Sequence, residues 1–171
     1  MQARDILIEG LGRLPELVHT AVQGLTPEQL RRQPAGLGTS SRANSIAWLV
    51  WHLTRVQDSH VAELLDEEQV YLTGDWAPLF GLEADPSDTG YGHSPAQVAA
   101  VAPADAEVLI GYYGSVHERT LRYLRELTAD DLDRVVDESW DPPVTLAVRL
   151  VSVIDDDVQH AGQAAYARGL L

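Results

Sequence analysis

Ser45-Ile46-Ala47-Trp48-Leu49-Val50-Trp51-His52-Leu53 is the stretch on which the fold turns. Its large apolar residues do not alternate with polar ones, and they continue through Val56, so the pattern is that of a helix rather than a half-buried strand. A helix apolar over so wide an arc belongs inside a bundle. We place it from Ser45 to about Leu65, with Asn44 as its cap. His52 falls in the middle of the run, where an imidazole needs a partner, and it is the first residue that calls for a chemical explanation.

Toward the N-terminus, Leu7, Leu11, Leu14, Val18 and Val22 recur at three- and four-residue steps and draw one stripe on a helix over about Gln2 to Leu25. Pro15 should kink that helix or divide it in two. Thr26-Pro27-Glu28 reads as a new start, a threonine cap with proline at the first helical position, for a piece reaching about Arg32. Gln33 to Ala43, with Pro34, Gly36 and Gly38, is a connecting loop. Toward the C-terminus, periodicity fails between about Thr73 and Pro103, where Trp76, Phe80 and Tyr91 are interspersed with turn-forming residues. Loops of this length are often lids or binding walls; a strap whose aromatic residues plug the bundle is the other reading. A short helix over about Ser94 to Ala100, with Pro95 first, interrupts it. A third long helix follows from about Ala104 to Leu127, then a turn capped by Thr128 through Asp133 and a break at Trp140-Asp141-Pro142-Pro143. The last helix runs from Thr145 to about Arg168, with Gly169 as its stop. No strand pattern or internal repeat competes. The expectation is one all-α domain over residues 1–171, a four-helix bundle with a long crossover loop between its second and third helices. Up-down-up-down is the simplest topology, and the spacings do not give the order of helices around the bundle.

The 171 residues, 45% of them hydrophobic, suffice for one packed core. Cysteine is absent, which excludes disulfides, thiolate zinc sites and a cysteine nucleophile, and leaves nitrogen and oxygen as the only donors for a metal. The formal charge is −14, from 26 acidic residues against 12 basic ones, all arginine. So acidic a surface, without a basic stripe, excludes nucleic acid as a partner. No run approaches the ~18 apolar residues of a membrane span. Met1 to Ile8 lacks the pattern of a signal peptide, so the expected location is cytoplasmic.

The chemistry gathers in Asp155-Asp156-Asp157-Val158-Gln159-His160-Ala161-Gly162-Gln163. Asp156 and His160, four residues apart on a helix, stand ~40° apart and one above the other. HExxH helices chelate one ion with this spacing, although an ion pair or a cap would also explain it. Asp155 and Asp157 point elsewhere and are expected to be solvated. If His52 joins the pair, three nitrogen and oxygen ligands with an open position form the pattern of a catalytic zinc-type site. Other polar residues have two readings each. His60 lines a pocket mouth or lies at the surface. His93 approaches the open position or a substrate, or sits in the loop. Arg149 holds a carboxylate of a cosubstrate or forms an ion pair. Tyr113 and His117 are a polar pair packed in the core, and His19 is structural or exposed. Gln163 supports His160 or bridges helices.

The stretch from Asn44 to Leu53, taken with Asp156…His160-Ala161-Gly162-Gln163, resembles the DinB-like (DinB/YfiT) metalloprotein superfamily. Trp76…Phe80-Gly81-Leu82 and Asp88-Thr89-Gly90-Tyr91-Gly92-His93 look like its mycothiol S-transferase-like branch. The resemblance spans Asn44 to Leu171. It implies a four-helix bundle with one divalent metal held by His52, Asp156 and His160. Many members carry histidine where this chain has Asp156, which leaves zinc, the first expectation, and nickel both open. It further implies an S-transferase that joins a low-molecular-weight thiol to an electrophilic small molecule, with Tyr91, His93 and Arg149 as candidates for contact with substrate, and a homodimer. Two rivals stand beside this reading. One is metal-assisted hydrolysis through a bound water of pKa about 7, although no glutamate stands beside a ligand as in HExxH. The other is a metal-stabilised bundle that binds a ligand or partner without catalysis.

Overall fold

In the computed structural model, which describes residues 2–34 and 43–171, the stripes become the four rods of an all-α bundle. The first rod is divided, as Pro15 implies: α1 spans Ala3–Gly12 and α2 spans Leu14–Val22, with Pro15 in the first turn of α2, where its missing N–H costs nothing. Leu7, Leu11, Leu14, Val18 and Val22 are all buried. The short α3, Pro27–Arg31, starts at a capping box between Thr26 and Gln29. The loop expected over Gln33 to Ala43 lies, but for its ends, outside the described residues.

The second rod, α4, spans Ile46–Leu65. Its cap is Ser45 rather than Asn44, since the Ser45 hydroxyl accepts from the Trp48 N–H at 3.2 Å. The crossover holds one turn of helix unforeseen in the sequence, α5 (Val70–Thr73), a 3-10 turn over Ala77–Phe80, and α6 (Pro95–Ala100) capped by Ser94. Asp58 explains α5: its buried carboxylate accepts from the N–H groups of Val70 (2.9 Å) and Tyr71 (2.8 Å), and from the Tyr112 hydroxyl at 2.8 Å. A tertiary cap of this kind leaves no local signal.

The third rod, α7, spans Ala106–Glu126, and the fourth, α8, spans Leu146–Arg168 with Thr145 as its cap. A 3-10 turn over Asp130–Asp133 follows α7. There the capping runs opposite to expectation: the Asp131 carboxylate accepts from the Thr128 N–H and hydroxyl. Gly169 ends α8 with φ −65°, so the stop does not use glycine's left-handed freedom. A small hairpin corrects the strand-free expectation: β1 (Val135–Asp137) pairs antiparallel with β2 (Val144–Thr145) around the proline break. Strands of two or three residues are too short to draw a period of two.

The topology also departs from up-down-up-down. Arg149 of α8 reaches His60 and Glu63 of α4 while His160 meets His52, so α4 and α8 are antiparallel. Arg4 donates to the carbonyls of Arg125 and Leu127, and Arg168 to those of Ala21 and Gln23, so the first rod runs against α7 and along α8. The order of directions is therefore up, down, down, up. The physical reason is the crossover, which returns the chain to the starting end of α4 before α7 begins. Around the bundle α4 lies between α7 and α8, and α2 closes the ring between the same two. Among the described residues no helix is long and apolar enough to cross a membrane.

The buried stripe of α8 is Leu146, Leu150, Val153, Asp157, Ala161, Ala164 and Ala167. Asp155 is exposed, as expected, but Asp157 is fully buried, which overturns its reading as a solvated acid. Neither of its carboxylate oxygens has a hydrogen-bond partner among the described residues. Burial chiefly, and the neighbouring Asp156 charge, push its pKa well above the usual aspartate range. A carboxyl that stays protonated when folded and ionises when unfolded costs stability as pH rises above its ordinary value of about 3.9. We therefore expect Asp157→Asn, which cannot ionise, to gain in Tm relative to the wild type as pH rises above about 4. Thermal unfolding followed by circular dichroism, with chelator present, checks this; a Tm difference independent of pH would contradict it.

Candidate metal centre

Antiparallel packing of α4 on α8 sets the inward polar residue of one helix against the Asp/His pair of the other. One ligand atom from each of His52, Asp156 and His160 lies within 4.8 Å of the other two. Ligands on a tetrahedral ion with bonds of about 2.0 Å stand about 3.3 Å apart, so contraction by up to about 1.5 Å closes the group around one ion.

Each imidazole has one nitrogen committed and one left over. His52 Nδ1–H donates to the carbonyl oxygen of Thr89 in the crossover, which leaves Nε2 for the site. His160 Nδ1–H donates to Gln163 Oε1 at 3.1 Å, leaving Nε2, which stands 3.5 Å from Asp156 Oδ1. These tautomers are assigned from the partners, and they are the arrangement in which metal-ligating histidines are usually held. The remaining carboxylate oxygen, Asp156 Oδ2, is buried without a hydrogen-bond partner among the described residues. A carboxylate with one buried oxygen unpartnered, grouped with two imidazoles whose outer nitrogens are already satisfied, is a donor set that fits a divalent ion.

The two imidazoles differ electrostatically. Burial lowers the His52 pKa, with the Thr89 carbonyl opposing. Hydrogen bonding to Asp156 raises that of His160, against a smaller effect of burial. Trp48 walls the site: its ring stacks on His52 at 4.5 Å between centroids and meets the His160 ring edge-on at 6.2 Å.

His93 lies beside this group, but both its nitrogens are engaged. Its Nδ1 accepts from the Trp48 indole N–H at 3.1 Å, and its Nε2–H donates to Asp88 Oδ1 at 2.8 Å. Tyr91, on the same loop, is 94% exposed. Arg149 donates to Glu63 Oε2 and Asp137 Oδ2, each at 3.0 Å, and its guanidinium lies 2.9 Å from His60 Nδ1. It therefore joins α4, α8 and the hairpin as an ion-pair centre two turns from Asp156. Tyr113 is buried with His117 Nδ1 at 3.3 Å from its hydroxyl, and His19 is exposed.

Of the two groups that orient the imidazoles, Gln163 takes the first of the two roles its sequence position offered, and the Thr89 carbonyl was missed. A backbone acceptor such as the Thr89 carbonyl has no residue signature. Gly90 does leave one: it takes φ +93°, and a side-chain carbon there would stand 2.9 Å from Trp51, 3.0 Å from His52 Nδ1 and 3.1 Å from Trp48. Only glycine lets the strap lie flush on the histidine.

Comparison with known proteins agrees with this architecture. No curated protein matches the chain. Among solved structures, a crystal structure of a conserved protein from Enterococcus faecalis superposes with a TM-score of 0.87 and 32% identity, over 98% of this chain and 96% of that one. The family model described as mycothiol-S-transferase matches residues 7–171. With the bundle and its three-residue polar group in place, the chain belongs to the mycothiol-S-transferase family of DinB-like proteins.

Proposed function

We propose that the protein is a metal-dependent S-transferase that joins an external low-molecular-weight thiol to an electrophilic small molecule. The observation that carries the reading is the convergence of His52, Asp156 and His160, with one Asp156 oxygen, Oδ2, buried and unpartnered among the described residues. The family supports a transferase class of chemistry. In this reading zinc is the preferred ion, with nickel the alternative, and the enzyme works in the cytoplasm as a homodimer.

A divalent ion at the triad favours the deprotonated form of a sulfur ligand, making an external thiol a nucleophile at neutral pH. The chain's own groups do the rest. Thr89 and Gln163 each accept from one imidazole Nδ1–H and so leave Nε2 of both rings turned inward. Trp48 shields one side of the site from water. Asp156 supplies the negative charge that a triad of histidines lacks. In the reaction the thiol gives up its proton to solvent and its sulfur forms a bond to the electrophilic carbon. The leaving group departs with its electron pair, or a proton returns where the acceptor is an unsaturated bond. The sulfur comes from outside, which is consistent with a chain that has no cysteine.

Purified protein reconstituted with zinc should hold one ion per chain by elemental analysis. His52→Ala should lower affinity by more than the 10–100-fold typical of losing a group that merely orients a ligand. The pH dependence has a definite sign. Histidine ligates only when neutral, and His160 has the raised pKa, so its proton is the one the ion displaces first. Affinity measured by competition titration should fall by about tenfold per pH unit below that pKa. His52, already biased to the neutral form, adds its own proton only at lower pH. For the reaction, zinc-loaded protein mixed with a panel of uncharged and acidic thiols and an electrophile should give conjugate above the uncatalysed rate. No acceleration with any thiol at full occupancy would reject the transferase reading, and ester hydrolysis without thiol would favour the hydrolase.

A further inference from the structure

Arg55 stands one turn beyond His52 on α4 and is fully buried, yet its nearest carboxylate contact is Asp58 at 3.8 Å. Its guanidinium is spent instead on the crossover. Nε donates to the Asp88 carbonyl at 3.0 Å, and Nη2 to the carbonyls of Asp85 and Pro86, each at 3.2 Å. Nη1 donates to Gln69 Oε1 at 2.7 Å and lies 3.4 Å from the Tyr112 hydroxyl. The Tyr71 ring covers its face at 4.1 Å. Three backbone carbonyls within four residues thus converge on one cation, and the next carbonyl along the chain, that of Thr89, is the acceptor for His52.

The same face of α4 grips the strap at three levels. Arg55 holds residues 85, 86 and 88, His52 meets residue 89, and Trp48 donates to His93, which in turn donates to Asp88. A buried cation is strongly destabilising unless its donors are satisfied. Strap conformations that withdraw these carbonyls therefore leave Arg55 Nε and Nη2 without acceptors in a buried position, and the grip selects one placement of the Thr89 peptide.

We propose that Arg55 is a positioning residue of the metal centre: by fixing the strap it presents the Thr89 carbonyl to His52 and so holds that imidazole with Nε2 toward the other ligands. The importance of this for metal binding rests on the reading of His52 as a ligand, whereas the tautomer itself does not. Lysine offers one rotatable ammonium in place of the planar fork and cannot reach the same set of acceptors.

The test compares wild type, Arg55→Lys and Gly90→Ala. Long-range proton–nitrogen NMR of the imidazoles in the metal-free protein gives the His52 tautomer, and zinc competition titration gives the affinity. The wild type should show the single Nδ1–H form. Arg55→Lys should show both tautomers and bind zinc about 10–100-fold more weakly, while still unfolding cooperatively. Gly90→Ala leaves Arg55 in place but displaces the strap from His52, and it should mix the tautomers in the same way. A folded Arg55→Lys protein that keeps the single Nδ1–H form and wild-type affinity would overturn the proposal. Should that variant fail to fold, an unchanged tautomer in Gly90→Ala overturns it equally. A wild type that binds no zinc would remove the metal-site reading alone, and the tautomer comparison would still decide the role of Arg55.

Discussion

Packing α4 against α8 in antiparallel register brings three polar side chains, His52, Asp156 and His160, together at one point of the interface. Much of the remaining structure follows from that constraint. His52 cannot be left with a bare ring in the core, so one nitrogen is given to a crossover carbonyl. His160 at the edge of the same interface gives one to Gln163. What remains unsatisfied is an inward-facing group of two imidazole nitrogens and a carboxylate, and Asp156 Oδ2 in particular has no protein partner among the described residues. A buried polar atom is rarely left this way without a reason, and a divalent ion held by the three residues would supply one for Asp156 Oδ2.

The crossover is the second consequence. A connection that merely joined α4 to α7 could turn back at once and give an up-down-up-down bundle. This one runs back along α4 instead, which is why α7 descends in the same direction and the order becomes up-down-down-up. The aromatic residues of the segment do plug the bundle: Phe80 is buried, and Trp76 packs against Tyr112 at 5.5 Å. The strap reading of the sequence therefore holds for Trp76 and Phe80, while residues 85–93 of the same segment orient a histidine.

The fold was legible because helix periodicity is a local signal. Leu7 to Val22, Ile46 to Val56 and the run to Arg168 each declared a buried face, and Pro15, Thr26, Ser94 and Thr145 marked boundaries through chemistry that acts within one turn. The Asp156/His160 pair was legible for the same reason. What was not legible depended on residues far apart in the chain. The helix α5 exists because Asp58 caps it from another element, and Arg55 looks like any helical arginine until the strap carbonyls converge on it. Asp157 is a different failure. It lies four residues from both Val153 and Ala161, so the stripe ran straight through it, and only its charge argued for solvent. Burial at a stripe position outweighed the preference of a carboxylate for water, with the group shifting its pKa in compensation.

The central claim is that the triad holds an ion with a position left open for an external sulfur. X-ray absorption at the metal edge of zinc-loaded protein, recorded before and after addition of a small thiol, tests it most directly. The account predicts nitrogen and oxygen neighbours only, at about 2.0–2.1 Å with the outer scattering of two imidazoles, and then one sulfur neighbour at about 2.3 Å once thiol is present. A first spectrum without imidazole scattering, or a second without sulfur, would contradict it.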